Sequence, residues 1–324
     1  MRNIDPLHSF ESIKLLADPR RLEILRLLMA SSATLTQLAR MLKKSPAWVR
    51  HHVLALENAG LVSVSEVRKT GKVTEKFYRA QADALFLQEL ILPRTRKPVV
   101  IFSGSHDLAM DEIATHLEEY VTLLSLPVGS LDGLVNLRQG LCQISGTHLL
   151  DETGEYNTPF VRHLFPDRAV DIVTFAHRTQ GLLLAPGNPR GLRDISDVAN
   201  PDIRFVNRNA GSGTRLWFDS QLRKLNIPAE KVQEYKTVVK THSEAALLIA
   251  SHKADAALGL QAAAHQNNLD FIPLFEERYD LVRPLENQKA LMPLLDYLGT
   301  AAFRSGLHAL SGYNATHSGE RIPF

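Results

Sequence analysis

Residues 34–62 read TLTQLARMLKKSPAWVRHHVLALENAGLV, and their spacing decides the fold of the first part of the chain. Leu35, Leu38, Ala39 and Leu42 recur at i, i+3, i+4 and i+7, the period of a helix with one buried face, and Thr34 stands before them as a cap. The polar link Lys43-Lys44 leads into Ser45-Pro46, a second cap with proline at the first helical position. The helix that follows carries Val49, Val53 and Leu56 inward. Trp48, Arg50, His51 and His52 lie near its N-terminal half, with several of these side chains expected to face out. Two helices joined by a tight turn, the second with the composition of a recognition helix, predict a helix-turn-helix.

Upstream, a short amphipathic start at Phe10, Ile13 and Leu16 precedes Asp18-Pro19, which opens a helix carrying Leu22, Ile24, Leu25, Leu27 and Leu28. Downstream of Asn58-Ala59-Gly60 the period drops to two. Val62 and Val64 alternate with Ser63 and Ser65, the segment Arg68 to Lys72 turns, and Val73 to Arg79 returns as a second strand. A basic hairpin after a helix-turn-helix is an α+β winged helix. Its physics suits double-stranded DNA, because a helix fits the major groove and wing cations neutralise phosphates. Arg50, His51 and His52 are the candidates for groove contacts, and Arg68, Lys69 and Lys72 for phosphates. Ser45 and Trp48 complete the expected DNA surface.

Charge supports that division. Residues 1–98 hold 17 Lys and Arg against 9 Asp and Glu, whereas residues 99–324 hold 20 against 26. A basic unit joined to an acidic one predicts a polyanion partner for the first and a different task for the second. With 324 residues, 44% hydrophobic and 22% charged, the chain suffices for two or three compact units and is not a disordered or fibrous sequence. No apolar run reaches the roughly 18 residues of a membrane helix, and MRNIDPLHSF lacks the apolar core of a signal peptide. A cytoplasmic protein with no membrane partner is expected. Cys142, the single cysteine, forms neither an internal disulfide nor a thiolate metal cluster, so no metal and no cofactor are expected.

The stretches LLADPRRLEILRLL (15–28) and 34–62, with the glycine-containing wing, resemble the ArsR-type winged-helix repressors over about 80 residues. The resemblance implies DNA binding as a homodimer, with a helix near residues 80 to 92 (Ala84, Leu85, Leu87, Leu90, Ile91) adding to the dimer seam. It does not imply metal sensing here. The cysteine pairs such repressors use are absent, and adjacent His51 and His52 do not share a helix face.

The winged helix is expected over 1–93 and an extended basic linker over 94–98, within PRTRKP, so that a new domain starts at Val99. Val99 to Phe102 is a strand delivering Ser103-Gly104-Ser105-His106-Asp107 to a helix start. Val121 to Leu126 and Leu141 to Ile144 follow as strands, the latter ending in Ser145-Gly146-Thr147-His148. Strands alternate with helices, so a parallel sheet is expected, with ligand groups at the strand C-termini. A second set begins at Gly181 to Ala185, and Ile203 to Val206 leads into Asn207-Arg208-Asn209-Ala210-Gly211-Ser212-Gly213-Thr214-Arg215 before another helix. Such turns expose backbone N–H groups at the positive end of a helix dipole. Recurrence on two halves predicts a cleft with a small anion between them. No lysine follows the last glycine, so the loop is not a nucleotide P-loop.

SGSHDLAMDEIA (103–114), GTHLLDETGEYNTPFV (146–161), QGLLLAPGNPRGL (180–192), FVNRNAGSGTR (205–215), ADAALGLQAAA (254–264) and FIPLFEERYDLV (271–282) together resemble the periplasmic-binding-protein-like domain of cytoplasmic regulators. That family is similar to the molybdate-binding proteins of ABC transporters. The resemblance implies an α/β type II periplasmic-binding-protein-like domain over 99–324, with lobe I at about 99–180 and 275–324 and lobe II at about 181–274. It further implies Ser103, Ser105, Thr147, Ser212, Gly213 and Thr214 as ligand donors, with Tyr279 near the hinge. His106, His148 and Arg215 depart from a neutral oxyanion cage, and Arg215 could pair with a carboxylate or sulfonate or form a salt bridge within its own helix.

The expected protein is therefore a one-component transcription regulator sensing molybdate or tungstate. The alternatives are an organic anion (carboxylate, sulfonate or phosphate metabolite) and an enzyme of molybdopterin metabolism. Catalysis is not expected: contiguous Ser105-His106-Asp107 cannot align as nucleophile, base and orienter, no G-x-S-x-G elbow exists, and Cys142 sits in an apolar strand pattern.

Overall fold

The computed structural model describes residues 4–7, 9–70, 73–87, 90–286 and 288–323. Contacts divide the chain into two compact units, Met1–Ile91 and Leu92–Phe324. The first unit runs β1 (Ile4–Leu7), α1 (Phe10–Leu16), α2 (Pro19–Ala30), β2 (Ala33–Thr34), α3 (Leu35–Leu42), α4 (Pro46–Asn58), β3 (Val62–Thr70), β4 (Val73–Ala80) and β5 (Ala84–Leu87). Its helices begin where side chains satisfy the orphan amides. Asp18 accepts from the Arg20 N–H at 2.9 Å, and the Ser45 hydroxyl accepts from the Trp48 N–H at 3.2 Å. Thr34 and Gln37 form a reciprocal capping box, the Thr34 hydroxyl accepting from Gln37 N–H and the Gln37 side chain from Thr34 N–H. Lys43, in the left-handed region at φ 54°, ends α3 and sends the chain straight to the Ser45 cap.

Ile24, Leu25, Leu28, Leu38, Val49, Val53 and Leu56 form the core of this unit. Each such burial stabilises by about 2 kcal/mol relative to exposure. The sheet order β2-β4-β3 places the β3–β4 hairpin as the wing. Among the described residues the helix expected near residues 80 to 92 is not formed. Ala84–Leu87 is instead β5, paired in parallel with β1 from Ile4↔Ala84 to Leu7↔Leu87. The short apolar run suits strand or helix equally by pattern, and β1 supplies the hydrogen-bonding edge that settles it.

The second unit contains β6 (Val99–Gly104), α5 (Leu108–His116), β7 (Thr122–Pro127), α6 (Ser130–Arg138), β8 (Ile144–Thr147), α7 (Thr158–Leu164) and β9 (Val170–Leu184). It continues with β10 (Phe205–Arg208), α8 (Gly213–Lys224), β11 (Val238–Val239), α9 (His242–Ala250), β12 (Ala256–Leu260), α10 (Gln261–Gln266), β13 (Asp270–Pro284), α11 (Met292–Leu298), α12 (Ala301–Ala309) and β14 (Tyr313–Asn314). Nine strands form one sheet in the order β11-β10-β12-β9-β13-β8-β6-β7, with β14 on β9. The sheet is mixed, which corrects the expectation of a parallel one. The outer sets β6, β7, β8 and β10, β11, β12 pair in parallel, but β9 and β13 are antiparallel to each other and to β12 and β8. These two 15-residue strands pair from Val170↔Pro284 to Leu184↔Asp270 and so run through both halves of the sheet.

Alternation along the strands divides the core. Leu183 packs in a cluster with residues of α5, α9, α10 and α12, while Leu182 and Leu184 pack with Phe205, Phe218 and Leu222. Ile101 joins a third cluster with Leu134, Leu137 and Val161. The strand C-termini and the N-termini of α5, α6 and α8 are thereby fixed around one polar region. No helix among the described residues is long and apolar enough to cross a membrane.

Candidate functional site

The loop leaving β6 is held by a close backbone approach. Gly104, at φ +144°, leaves no room for a side chain, since a Cβ would lie 2.2 Å from the Gly146 carbonyl oxygen. Ser105 N–H donates to that same oxygen at 3.0 Å, and the Tyr279 hydroxyl donates to the Ser105 carbonyl at 2.6 Å. From Ser105 a buried chain of polar groups runs across the unit. Ser105 Oγ lies 2.8 Å from His148 Nε2, and His148 Nδ1 lies 2.5 Å from Glu277 Oε2. The other Glu277 oxygen pairs with Arg178, whose second arm reaches Asp107 Oδ2 at 2.6 Å. Asp107 also accepts from the Tyr313 hydroxyl at 2.7 Å and caps α5 through Ala109 N–H at 2.8 Å. Arg178 lies over the Tyr279 ring at 3.9 Å.

The electrostatics of this chain are closed. Burial pushes the Glu277 carboxyl up, but Arg178 and His148 beside it outweigh burial and hold it at about 2. Burial also works against the Arg178 charge, which its two carboxylates nevertheless keep firmly protonated. His148 is pushed down by burial despite Glu277.

The loop from β10 into α8 is different. Ser212 caps α8, accepting from Arg215 N–H at 3.2 Å and donating to the Asn209 carbonyl at 2.9 Å. Gly213 rests on His148, where a Cβ would fall 2.4 Å from Nδ1, and Thr214 donates to Gln180 Oε1 at 3.0 Å. Asn209 Nδ2 donates to the Val128 carbonyl at 2.7 Å, and Leu131 N–H to the Gly211 carbonyl at 3.2 Å, so the two loop systems touch. Arg208, only 1% exposed, sits among them. Its Nη2 donates to the Lys240 carbonyl at 2.8 Å, its Nη1 lies 2.9 Å from both ring nitrogens of His242, and its Nε has no partner. No carboxylate pairs with it among the described residues. Burial, followed by repulsion from Arg178, lowers its guanidinium to about 10, and burial beside Arg208 holds His242 well below the usual histidine range.

Residues 111–299, more than half of the chain, match the family model of the PBP superfamily domain. The chain belongs to the PBP superfamily. Ahead of its PBP domain, residues 18–64 match the arsR family of bacterial regulatory proteins. The uncharacterized protein YvgK of Bacillus subtilis (strain 168) is 36% identical over 229 residues, 70% of this chain and 74% of that one. An uncharacterized protein from the ferredoxin 2Fe-2S gene 5' region of Clostridium pasteurianum is 32% identical over 110 residues, 33% of this chain and 97% of that one. Among solved structures, a Clostridium perfringens protein described as a phosphate ABC transporter substrate-binding protein, with bound phosphate, superposes with a TM-score of 0.51. It shares 14% identity, covering 65% of this chain and 97% of that one, a likeness of fold.

Within the PBP domain the structure brings Ser105, His148, Gly213 and Tyr279 together, with Ser212 and Thr214 at the adjoining helix start. His106, also buried, approaches His242 at 6.5 Å between ring centroids and contacts Asp111 at 3.2 Å. The Ser103 hydroxyl is engaged with the Leu126 carbonyl and Asn136, and that of Thr147 with Asn157. Arg215 is engaged beside its own helix. Helical spacing pairs it with Asp219 at 2.9 Å, and it packs 4.1 Å over the Tyr235 ring. Arg208, Arg178, Glu277, His242 and Asp107 were missed as site residues. The one signal for Arg208 was its place inside a glycine-rich loop.

In the winged helix, Arg50 and His51 are exposed on α4, Ser45 is exposed at its cap, and Trp48 is half-buried against the core with Lys44 5.7 Å from its ring. His52 does not face out. It follows Val49 by three residues and precedes Val53 and Leu56 on the inward face, is 3% exposed and packs 4.4 Å from Trp48. Burial lowers its pKa. Lys69 and Arg68 are exposed, although Arg68 is bonded to Glu66 at 2.7 and 3.0 Å; Lys72 lies outside the described residues.

Proposed function

We propose that the protein is a ligand-responsive transcription regulator, binding double-stranded DNA through its winged helix as a homodimer and a small anion through its PBP domain. The observation that carries the ligand class is Arg208, a buried guanidinium that no carboxylate among the described residues pairs with, where the two loop systems meet. An isolated buried charge is costly, and an arriving anion supplies the missing counter-charge. The α8 amides supply neutral donors, and the hydroxyls of Ser105, Ser212 and Thr214, engaged here with His148, Asn209 and Gln180, supply theirs only on turning to the ligand. The DNA surface is assigned to Ser45, Trp48, Arg50, His51, Lys69 and Lys72, and the protein to the cytoplasm, where DNA is reached.

Tungstate and molybdate are the first ligands to test. A second reading, an organic carboxylate or phosphate, is favoured by the same residue, because a guanidinium fork suits planar or tetrahedral oxyanions bidentately. The test is thermal unfolding of the full chain with tungstate, molybdate, sulfate, phosphate and small carboxylates, since ligands that bind only the native state raise the melting temperature. A selective shift identifies the ligand. No shift with any anion refutes the reading. The ligand acts on transcription only by binding one state of the dimer better than the other, so DNA affinity must change reciprocally.

A further inference from the structure

We propose that anion binding in this cleft is coupled to uptake of one proton by His148, through the chain Ser105–His148–Glu277. The inference rests on the anion reading above and adds the protonation chemistry of the site. His148 Nδ1 lies 2.5 Å from Glu277 Oε2, off the line of a well-aligned hydrogen bond, and two lone pairs that close would repel, so Nδ1 carries the proton on the Glu277 side. Nε2 is then an acceptor, and the hydroxyl 2.8 Å away must donate to it. Ser105 has one hydroxyl hydrogen, and the bond to His148 commits it. The Ser105 hydroxyl therefore offers an approaching anion only lone pairs.

Protonation of Nε2 reverses the bond. Nε2–H donates to Ser105 Oγ, the Ser105 hydrogen turns to the ligand, and Glu277 remains a carboxylate facing Nδ1–H. The groups around His148 set when this occurs. Glu277 of β13 favours the imidazolium, while Arg178 of β9 and Arg208 of β10 oppose it together with burial. The remaining neighbours are Tyr279 on β13 at 5.9 Å between rings, Ser130 of α6 accepting from His148 N–H, Gly213 of α8, and His242 and His106 close by. A bound anion adds the second negative charge that tips the balance toward imidazolium.

The experiment is calorimetric titration of the full chain with tungstate at pH 7.5 in two buffers of different ionisation enthalpy, followed by affinity measurements from pH 6.5 to 8.5. Sulfate and oxalate run in parallel, because all three are fully ionised over that range and any proton taken up goes to the protein. The expected result is uptake of about one proton per anion and a Kd that tightens by up to about tenfold for each unit of falling pH. The His148→Gln variant, whose amide can bridge Ser105 and Glu277 but cannot titrate there, is expected to bind without proton uptake. Binding to the wild-type chain with equal heats in both buffers overturns the coupling. Uptake persisting in His148→Gln overturns its assignment to this residue. Absence of binding by every anion at every pH removes the anion reading itself and this inference with it.

Discussion

Replacing Arg208 by methionine should affect the empty and the ligand-loaded protein in opposite directions. The fall of the buried guanidinium from 12.5 to about 10 amounts to roughly 3 kcal/mol against the charged folded form. Since the folded chain holds this proton less tightly than the unfolded chain, the charge opposes folding at neutral pH, and the opposition is relieved only above pH 10. Methionine removes that term and leaves the Lys240 carbonyl and the His242 ring without their partner, a loss of about 2 kcal/mol. The net gain is about 1 kcal/mol, which in a unit of this size raises the melting temperature by about 2 to 4 °C. In the wild-type chain, ligand at a hundred times Kd stabilises by about 2.7 kcal/mol. That increment should vanish in Arg208→Met. Differential scanning calorimetry with and without the anion measures both quantities, and an empty variant that melts lower while keeping the ligand shift refutes the reasoning.

Other substitutions separate the remaining roles. Arg50→Ala combined with Lys69→Ala should weaken duplex binding and lower the slope of log affinity against log salt by about 2, read by fluorescence anisotropy, since Lys69 of each protomer meets a phosphate and each phosphate contact contributes about 0.9. Arg215→Ala should keep the full anion-induced thermal shift, because its partners are Asp219 and Tyr235; a lost shift would restore Arg215 as a ligand group. Glu277→Gln should destabilise the second unit by about 3 to 5 kcal/mol in denaturant titrations at pH 7, as it leaves Arg178 short of one buried carboxylate. The Glu277 carboxyl lies at about 2, below its ordinary 4.5, so its contribution is complete above pH 4.5 and fades as pH falls toward 2. A wild-type stability that already falls between pH 6 and 5 by this amount contradicts that assignment.

What could be read from the sequence was mostly local. Caps at Asp18, Thr34 and Ser45 and the change of period after Gly60 marked the winged helix, because these signals operate within a few residues. The Gly/Ser loops before α5 and α8 were equally visible. The charged heart of the site was not. Arg178 and Glu277 are neighbours in the β9–β13 ladder but 99 residues apart in the chain, and a charge within a strand looks like a solvated face until its partner is known. Arg208 and Arg215 flank one loop, and only the helical pairing of Arg215 with Asp219 shows which arginine turns inward. His52 was misplaced because a polar residue type outweighed its i+3 relation to Val49. The run at 84–87 was misassigned because β1, the edge that recruits it, lies some 80 residues earlier.

The paired strands β9 and β13 have a mechanical consequence. The halves of the PBP domain share one ribbon of two paired strands, with register shifts between Pro273 and Phe275 and between Tyr279 and Asp280. These irregular points are where such a ribbon bends most readily. Parting the halves would also break contacts across them, among them Asn209 with the Val128 carbonyl, Leu131 with the Gly211 carbonyl, Gly213 against His148 and the apolar cluster shared by α5, α9, α10 and α12. A guest of a few atoms moves such a balance only by preferring one position by the few kcal/mol that shift such populations.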